Sequence, residues 1–428
     1  METGFIRDFL ISFRKRVFPK MVERELEVKP VREKAVVITG PRRSGKTYYF
    51  FNMISKLNRD ETIYLDFEEP FLKGLKPLEV LKIILEIFPE TLGCPPENVF
   101  LDEAQNAESW ETLVRSLLNR GLKVFITGSS SRLLGREIAT QLRGRSVSYL
   151  LLPFSFREYL TAKNISVETG LLESVGRVKK ELGNYLEEGG FPEIVLGGEK
   201  ERIFKEYLDL VFFKDFVERH GVRSITLARL VFNHLMQNFS REMSIRAIER
   251  KLVSGGTRFN TATLYRYVEN LEDTSFIFFL RKFSPKAHER ETWPRKVYLA
   301  DTGLTKVFRL SLDYGRLMEN AVFLQLLRET NKKPLLSFYY WKDYQQNEVD
   351  FLVKEGLKIR RLIQVTYASG RDEVDKREVK ALLKAGKELG CKDLLVVTWD
   401  YEDEAELENR KVKFVPLWKQ LIAGSLEI

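Results

Sequence analysis

Histidine is scarce in this sequence: His220, His234 and His288 are the only three in 428 residues. None stands at a metal-binding spacing from another or from a cysteine, so a zinc site and a histidine-based nucleophilic triad have little to build on. Cysteine is rarer still, with Cys94 and Cys391 far apart in the chain. Two distant thiols make no disulfide framework and fit a reducing compartment. No apolar run reaches the ~18 residues that a membrane span needs. The opening stretch, METGFIRDFLISFRKR, breaks its short apolar runs with Arg7 and Asp8 and shows no small-residue cleavage site. It does not read as a signal peptide. The expectation is a cytoplasmic protein without a membrane partner. Internal repeats and low-complexity tracts are also missing.

What is present is the composition of a globular chain, 44% hydrophobic and 31% charged. At roughly 100–200 residues per domain, its length predicts two to four domains. Lys and Arg total 70 against 61 Asp and Glu, a net +9. The excess is uneven: residues 221–300 hold fourteen basic and seven acidic side chains. A concentrated basic stretch favours a nucleic-acid partner, although a solvated surface accounts for it equally simply.

Short apolar runs at 34–39, 62–67, 98–104, 123–128 and 147–154 read as strands. Helical spacing occupies 47–57, 77–88 and 109–120 between them. Strands alternating with helices predict a parallel sheet covered on both faces. From about 155 to 240 the pattern is helical and aromatic. Two helices, 243–254 and 260–272, then flank a turn, and 277–283 reads as a strand. The stretch 284–296, punctuated by Pro285 and Pro294, reads as a hairpin or loop. The last third is mixed: helices at 317–329 and 374–389, and strands near 336–341, 348–353, 361–367 and 394–399.

Residues 40–47, Gly40-Pro41-Arg42-Arg43-Ser44-Gly45-Lys46-Thr47, match G-x-x-x-x-G-K-[ST] between a predicted strand and a predicted helix. This is the phosphate loop of ATP-binding proteins. Glycines let successive backbone N–H groups turn toward phosphate oxygens, and the helix start adds partial positive charge. Lys46 would reach the β- and γ-phosphates of ATP, and the Thr47 hydroxyl would ligate Mg²⁺. Tyr48 follows directly and joins the candidate nucleotide contacts. Val99-Phe100-Leu101 delivers Asp102 and Glu103 at a strand end. Asp102 would hold Mg²⁺ through water, and Glu103 would polarise the attacking water as general base. The next strand ends Thr127-Gly128-Ser129-Ser130. Thr127 and Ser129 are both candidates to touch the γ-phosphate or that water, and spacing does not choose between them. In Leu142-Arg143-Gly144-Arg145, Arg145, with Arg143 as the alternative, is the candidate to act across a subunit interface.

The ordered series of motifs resembles the AAA-type ATPases common in archaea. The matching residues are the paired Arg42-Arg43, Asp102-Glu103-Ala104-Gln105, the T-G-S-S-S at 127–131 and the L-R-G-R at 142–145. Pro153-Phe154-Ser155-Phe156-Arg157-Glu158-Tyr159 and Gly189-Gly190-Phe191-Pro192-Glu193 continue the series, the latter resembling a lid motif. Lys296-Val297-Tyr298-Leu299-Ala300-Asp301-Thr302-Gly303-Leu304 resembles the opening of that family's C-terminal domain. The resemblance implies an AAA-like fold, ATP and ADP as ligands with Mg²⁺, ATP hydrolysis and a homo-oligomer.

The expected fold class is α/β: a P-loop NTPase parallel sheet, then a winged helix-turn-helix, then a mixed α/β nuclease-like domain. The expected divisions are an ATPase core at 1–155, a helical lid at 156–240, a winged helix at 241–296 and the nuclease-like domain at 297–428. In the second winged-helix helix, Leu264, Val268 and Leu271 share a packing face. Asn260 and Thr261 lie at its N-terminal end, where a recognition helix meets base edges. Arg258, Arg266, Arg281 and Lys282 are candidate phosphate contacts. Winged helices also dock proteins, so the expected partner is double-stranded DNA or a protein. In the last third, Glu319, Asp350 and Gln364-Val365-Thr366 look like a restriction-endonuclease-type core. Such a site needs a second carboxylate and a lysine where Gln364 and Thr366 stand, so nuclease activity is not expected. The leading function is an ATPase coupled to DNA. The alternatives are a nucleotide-controlled scaffold acting on a protein partner and, behind it, an ATP-gated nuclease.

Overall fold

The computed structural model describes residues 3–128, 141–168, 171–254, 259–292, 294–308 and 311–424. Its packing divides the chain into two compact units, residues 1–151 and 152–428.

The first unit is a parallel sheet of β1 (Ala35–Thr39), β2 (Thr62–Asp66), β3 (Asn98–Asp102), β4 (Lys123–Gly128) and β5 (Ser146–Leu150), in the order β2-β3-β4-β1-β5. All four neighbouring pairs are parallel. Side chains alternate between faces, as strand geometry requires. Val37, Ile63, Leu65, Val99, Leu101, Val124 and Ile126 make an aliphatic face. Against it pack α3 (Pro77–Lys82) and α4 (Phe88–Leu92), joined by a π-helical turn at Ile83–Ile87, and α5 (Trp110–Asn119). The opposite face is largely aromatic: Tyr64, Phe100, Phe125 and Tyr149 meet Tyr49, Phe50 and Ile54 of α2 (Lys46–Ser55). Phe100 and Phe125 stack with centroids 4.4 Å apart, worth about 0.5–1.5 kcal/mol beyond their burial. The sheet is therefore two-faced, as the alternation of strands and helices predicts. One element is unexpected. Thr3–Lys15 is a helix, α1, whose Ile6 and Leu10 join the aliphatic core while Arg7 and Asp8 face outward.

The second unit opens with α6 (Phe156–Ala162), capped by a reciprocal box between Ser155 and Glu158. Then come α7 (Leu172–Glu188), a short turn at Pro192–Val195, α8 (Lys200–Leu210) and α9 (Ile225–Gln237). Next in order are β6 (Arg241–Met243), α10 (Ile245–Ser254), α11 (Thr261–Glu272), β7 (Ile277–Leu280) and β8 (Arg295–Leu299). The three strands pair antiparallel in the order β6-β8-β7. Helix, strand, two helices and two strands with the last strand central is the connectivity a winged helix-turn-helix requires. In that order the first helix is α9, which precedes residue 241. The stretch read as hairpin or loop contains a helix, Ala287–Thr292, and β8 runs across residue 296. Its prolines precede each element rather than interrupt it.

The rest of the unit is a mixed six-stranded sheet, β13-β14-β12-β11-β10-β9. The strands are β9 (Leu336–Lys342), β10 (Glu348–Glu355), β11 (Lys358–Val365), β12 (Leu394–Thr398), β13 (Asp403–Leu407) and β14 (Arg410–Pro416). It is accompanied by α12 (Tyr314–Lys332), α13 (Lys376–Glu388) and α14 (Leu417–Ala423). The pairings β9–β10–β11 and β13–β14 are antiparallel, whereas β11–β12–β14 are parallel.

Two of the motifs meet inside this unit. Asp301, just after β8, accepts hydrogen bonds from the backbone N–H of Gly190 at 2.6 Å and of Gly303 at 2.9 Å. Burial pushes its carboxyl up to about 7 even though both bonds favour the charged form. Gly189 has φ 78° and ψ −171°, a region essentially open to glycine alone. A Cβ there would lie 1.7 Å from Asp301 Oδ1. Gly189→Ala should therefore lose about 1–3 kcal/mol from the backbone alone, with the collision adding to it. A lowered urea midpoint of the second unit, read by tryptophan fluorescence, checks this.

Candidate functional site

Strand β1 ends at Thr39, and the phosphate loop turns immediately into α2. The turn at Gly40 is fixed by packing. A Cβ there would sit 2.1 Å from the Leu151 carbonyl oxygen, so only glycine fits. Lys46 is buried and donates from Nζ to the carbonyl oxygens of Gly40 at 3.2 Å and Pro41 at 3.1 Å. Its ammonium is thus held at the mouth of the loop. Ser44 Oγ is buried and has no hydrogen-bond partner among the described residues. Thr47 is half-buried, Arg43 and Tyr48 are exposed, and Arg42 lies 3.9 Å from Glu68.

The acids stand at the same edge of the sheet. Asp102 ends β3 and is buried, with Oδ2 accepting from Tyr64 Oη at 2.8 Å and Oδ1 from the Thr127 hydroxyl. The Thr127 oxygen in turn accepts the Glu103 backbone N–H at 2.9 Å. One hydroxyl on β4 therefore ties the Asp102 carboxylate to the backbone of Glu103. Glu103 takes a left-handed backbone, φ 48°, and its carboxylate accepts from Gln105 Nε2. Asp66, paired with Asp102 across β2 and β3, has its carboxyl pushed up to about 6 by burial, with Asp102 adding to the rise. Burial and then Asp102 also raise the Tyr64 phenol far above its ordinary value, so it stays a proton donor to the carboxylate.

The geometry thus gives Thr127 a definite place, between Asp102 and Glu103. Ser129 lies outside the described residues. Arg145 lies at the other edge of the sheet, directly before β5, where Nη1 donates to Asn119 at 2.5 Å and Nε to the Glu33 carbonyl at 3.2 Å. It lines a cavity of about 840 Å³ with Glu33, Lys34 and Asn119. Within one chain it is not brought to the phosphate loop. Arg143 is exposed, with φ 52°. Tyr64 escaped the sequence reading; period-two alternation along β2 was the available signal, since it places Tyr64 and Asp66 on one face.

The residues of α11 form two surfaces. Leu264, Tyr267, Val268 and Leu271 are buried, while Thr261, Ala262, Tyr265, Arg266 and Glu269 are exposed. Asn260 caps the helix through Ala262 N–H, and Thr261 donates to Glu249 at 2.6 Å. Arg246, Arg250 and Lys251 of α10 are exposed, as is Arg281, whereas Lys282 is half-buried. Arg258 lies outside the described residues.

The C-terminal acids converge on Lys296, which the sequence places in a motif but not beside them. Lys296 of β8 is buried, and its Nζ lies 3.0 Å from Glu319, 2.7 Å from Glu348 and 2.8 Å from Asp350. Burial disfavours the ammonium, but Asp350 and Glu319 beside it raise its pKa well above the ordinary lysine value. Glu319 is pushed up to about 8 by burial and by Asp350. Tyr298 donates to Glu319 at 2.6 Å, and Gln364 Nε2 to Asp350 at 2.8 Å. The signal available was alternation along β8, which puts Lys296 and Tyr298 on one face of the strand.

A parallel sheet with a phosphate loop after β1 and paired acids after β3 defines an ATP-binding domain of the AAA type. The comparisons agree: residues 32–160 match a family described as an AAA domain. Residues 179–312 and 314–419 match two domains of unknown function, DUF8612 and DUF4143. The uncharacterized protein MJ1544 of Methanocaldococcus jannaschii is 36% identical over 414 residues, covering 94% of this chain and 91% of that one. The chain belongs to the family of that protein. An uncharacterized protein of Haemophilus influenzae is 24% identical over 394 residues, 89% of this chain and 93% of its own. Among solved structures, Cdc6p from Pyrobaculum aerophilum aligns at 12% identity over 57% of this chain and 80% of that one, with a TM-score of 0.22. That value carries no argument.

Thr127→Val should cost about 1–3 kcal/mol, because it leaves Asp102 Oδ1 and the Glu103 N–H without their shared partner. Thr127→Ser should restore most of the loss. Urea unfolding of the two variants beside the parent protein checks both.

Proposed function

We propose that this chain binds ATP with Mg²⁺, hydrolyses it, and couples hydrolysis to duplex DNA in a homo-oligomer. The observation that carries the ATPase reading is the Thr127 hydroxyl joined to both Asp102 and Glu103 at the sheet edge that bears the phosphate loop. The residues fit the ligand: a loop that tolerates no Cβ at Gly40, a buried unbonded Ser44 hydroxyl, and a buried Lys46 ammonium. Thr47 and Asp102 would hold the magnesium ion, which supplies charge neutralisation between the phosphates. Lys46 exchanges its two loop carbonyls for phosphate oxygens. Glu103 orients the attacking water and takes its proton. Thr127, with both hydrogen-bonding capacities used, positions the two acids. Arg145 is proposed to serve a neighbouring subunit, which its distance from its own phosphate loop permits.

The DNA reading rests on the exposed face of α11, with Tyr265 and Arg266, beside the basic residues Arg246, Arg250 and Lys251 of α10. A helix that buries one face and offers a polar, aromatic and basic face suits groove and phosphate contact. The C-terminal mixed sheet carries the nuclease outline without the second acid and lysine at 364 and 366, so cutting is not part of the proposal.

Steady-state ATP hydrolysis with and without duplex DNA tests the proposal, with Lys46→Ala as the blank. Lys46→Ala should lose nucleotide binding. Glu103→Gln should keep binding while turnover falls about 10²–10⁴-fold; turnover at the parental rate would remove Glu103 as the base. Stimulation by DNA that fades at high salt supports the coupling. In direct binding, replacing Arg246, Arg250 or Lys251 with alanine should lower the log–log salt slope by roughly 0.9 per lost phosphate contact. Hydrolysis indifferent to DNA would make the winged helix a docking module for a protein partner.

A further inference from the structure

We infer that the Lys296 ammonium is the resident cation of the C-terminal α/β region, filling the place where Glu319, Glu348 and Asp350 would otherwise hold a divalent metal ion. The three carboxylates come from α12 and from alternate positions of β10, and each has an oxygen within 3.0 Å of Nζ. An ammonium has three donors, and three acids use them all. Acceptors on two of these acids have further partners. Asp350 Oδ2 takes Gln364 Nε2 at 2.8 Å and the Val365 N–H at 2.9 Å. Glu348 also lies 3.1 Å from Lys342, which pairs with Glu242 at 2.5 Å. A metal ion needs carboxylate lone pairs facing a common point. Here that point holds nitrogen, and among the described residues no group of three or more His, Cys, Asp and Glu could hold a metal ion as it stands.

A second observation shows that the surroundings are those of a cation site. Gln364 is 5% exposed, and its Oε1 has no hydrogen-bond partner among the described residues. It is an oxygen donor beside Asp350, buried and unused. Glu378 Oε2 is likewise buried without a partner. With the ammonium gone, Glu319, Glu348, Asp350 and the Gln364 amide oxygen would present a donor set suited to a hard divalent ion. Lysine at 296 thus does two things. It removes the requirement for metal, and it ties β8 of the winged-helix sheet to β10 of the mixed sheet.

The test is Mn²⁺ binding to the nucleotide-free full chain, followed by the loss of the free-ion paramagnetic resonance signal and by thermal unfolding. The parent protein supplies the baseline for any ion at the phosphate loop. Lys296→Ala should bind one ion more than the parent, and millimolar Mn²⁺ should raise its unfolding midpoint by about 5 °C or more. Lys296→Arg, which keeps a cation, should bind no extra ion, and Asp350→Asn added to Lys296→Ala should abolish the gain. If Lys296→Ala is not recovered folded, Lys296→Ala/Glu348→Gln removes one of the unbalanced charges and carries the same titration. Absence of an extra ion in every folded variant overturns the inference. So does an ion bound by the parent protein and lost in Asp350→Asn, which would make Lys296 a neighbour of a working metal site.

Discussion

A parallel sheet presents the carboxyl ends of its strands along one edge, and the first unit depends on that constraint. The loop after β1, the acids ending β3 and the threonine near the end of β4 are separated by tens of residues. They converge because β4 lies between β3 and β1. Register completes the arrangement: Ile38 of β1 is opposite Thr127, and Leu101 of β3 is opposite Ile126. Thr127 therefore stands one strand from the acids and one strand from the loop. Strand order, rather than any local motif, makes it the residue that fixes both acids.

The second unit is organised by buried charge on one strand. β8 is the middle strand of its sheet, so both edges of its backbone are paired. Its side chains then reach other segments. Lys296 near its start gathers acids from α12 and β10, and Asp301 just past its end holds the N–H groups of Gly190 and Gly303. A buried charge left without partners is costly, so each of these groups narrows the positions its neighbours can take. The motif opening with Lys296 and the motif opening with Gly189 are thus two halves of one packing arrangement.

Much of this was legible in the sequence, and the remainder was not for physical reasons. The phosphate loop is a contiguous run whose chemistry demands its residue types, and Asp102 and Glu103 follow an apolar strand directly. The packing face of α11 could be read from helical spacing. Helix α1 was obscured because Arg7 and Asp8 interrupt its apolar residues in sequence but not on its buried face. The hairpin of β13 and β14 was missed because its turn is Glu408-Asn409, both with left-handed backbones of φ 48° and 59°, where the usual signal is Asn-Gly. The partnership of Lys296 with Asp350 spans 54 positions, and no periodicity reports a contact that distant. The place of Thr127 beside Asp102 needed the strand order.

Asp102 and Asp350 show how neighbours decide what a buried aspartate can do. Each adjoins an apolar stretch of strand, Asp102 at its end and Asp350 at its start, and each is nearly inaccessible. Among the described residues the Asp102 carboxylate accepts only from hydroxyls, those of Tyr64 and Thr127, and no cation lies within ion-pair distance of it. Hydroxyl donors orient the carboxylate without supplying a counter-charge. Asp350 accepts an ammonium, an amide and a backbone N–H, and its charge is already answered within the chain. One acid is therefore held by neutral donors and the other is paired with a cation. The difference lies in a tyrosine and a threonine in one place and a lysine and a glutamine in the other.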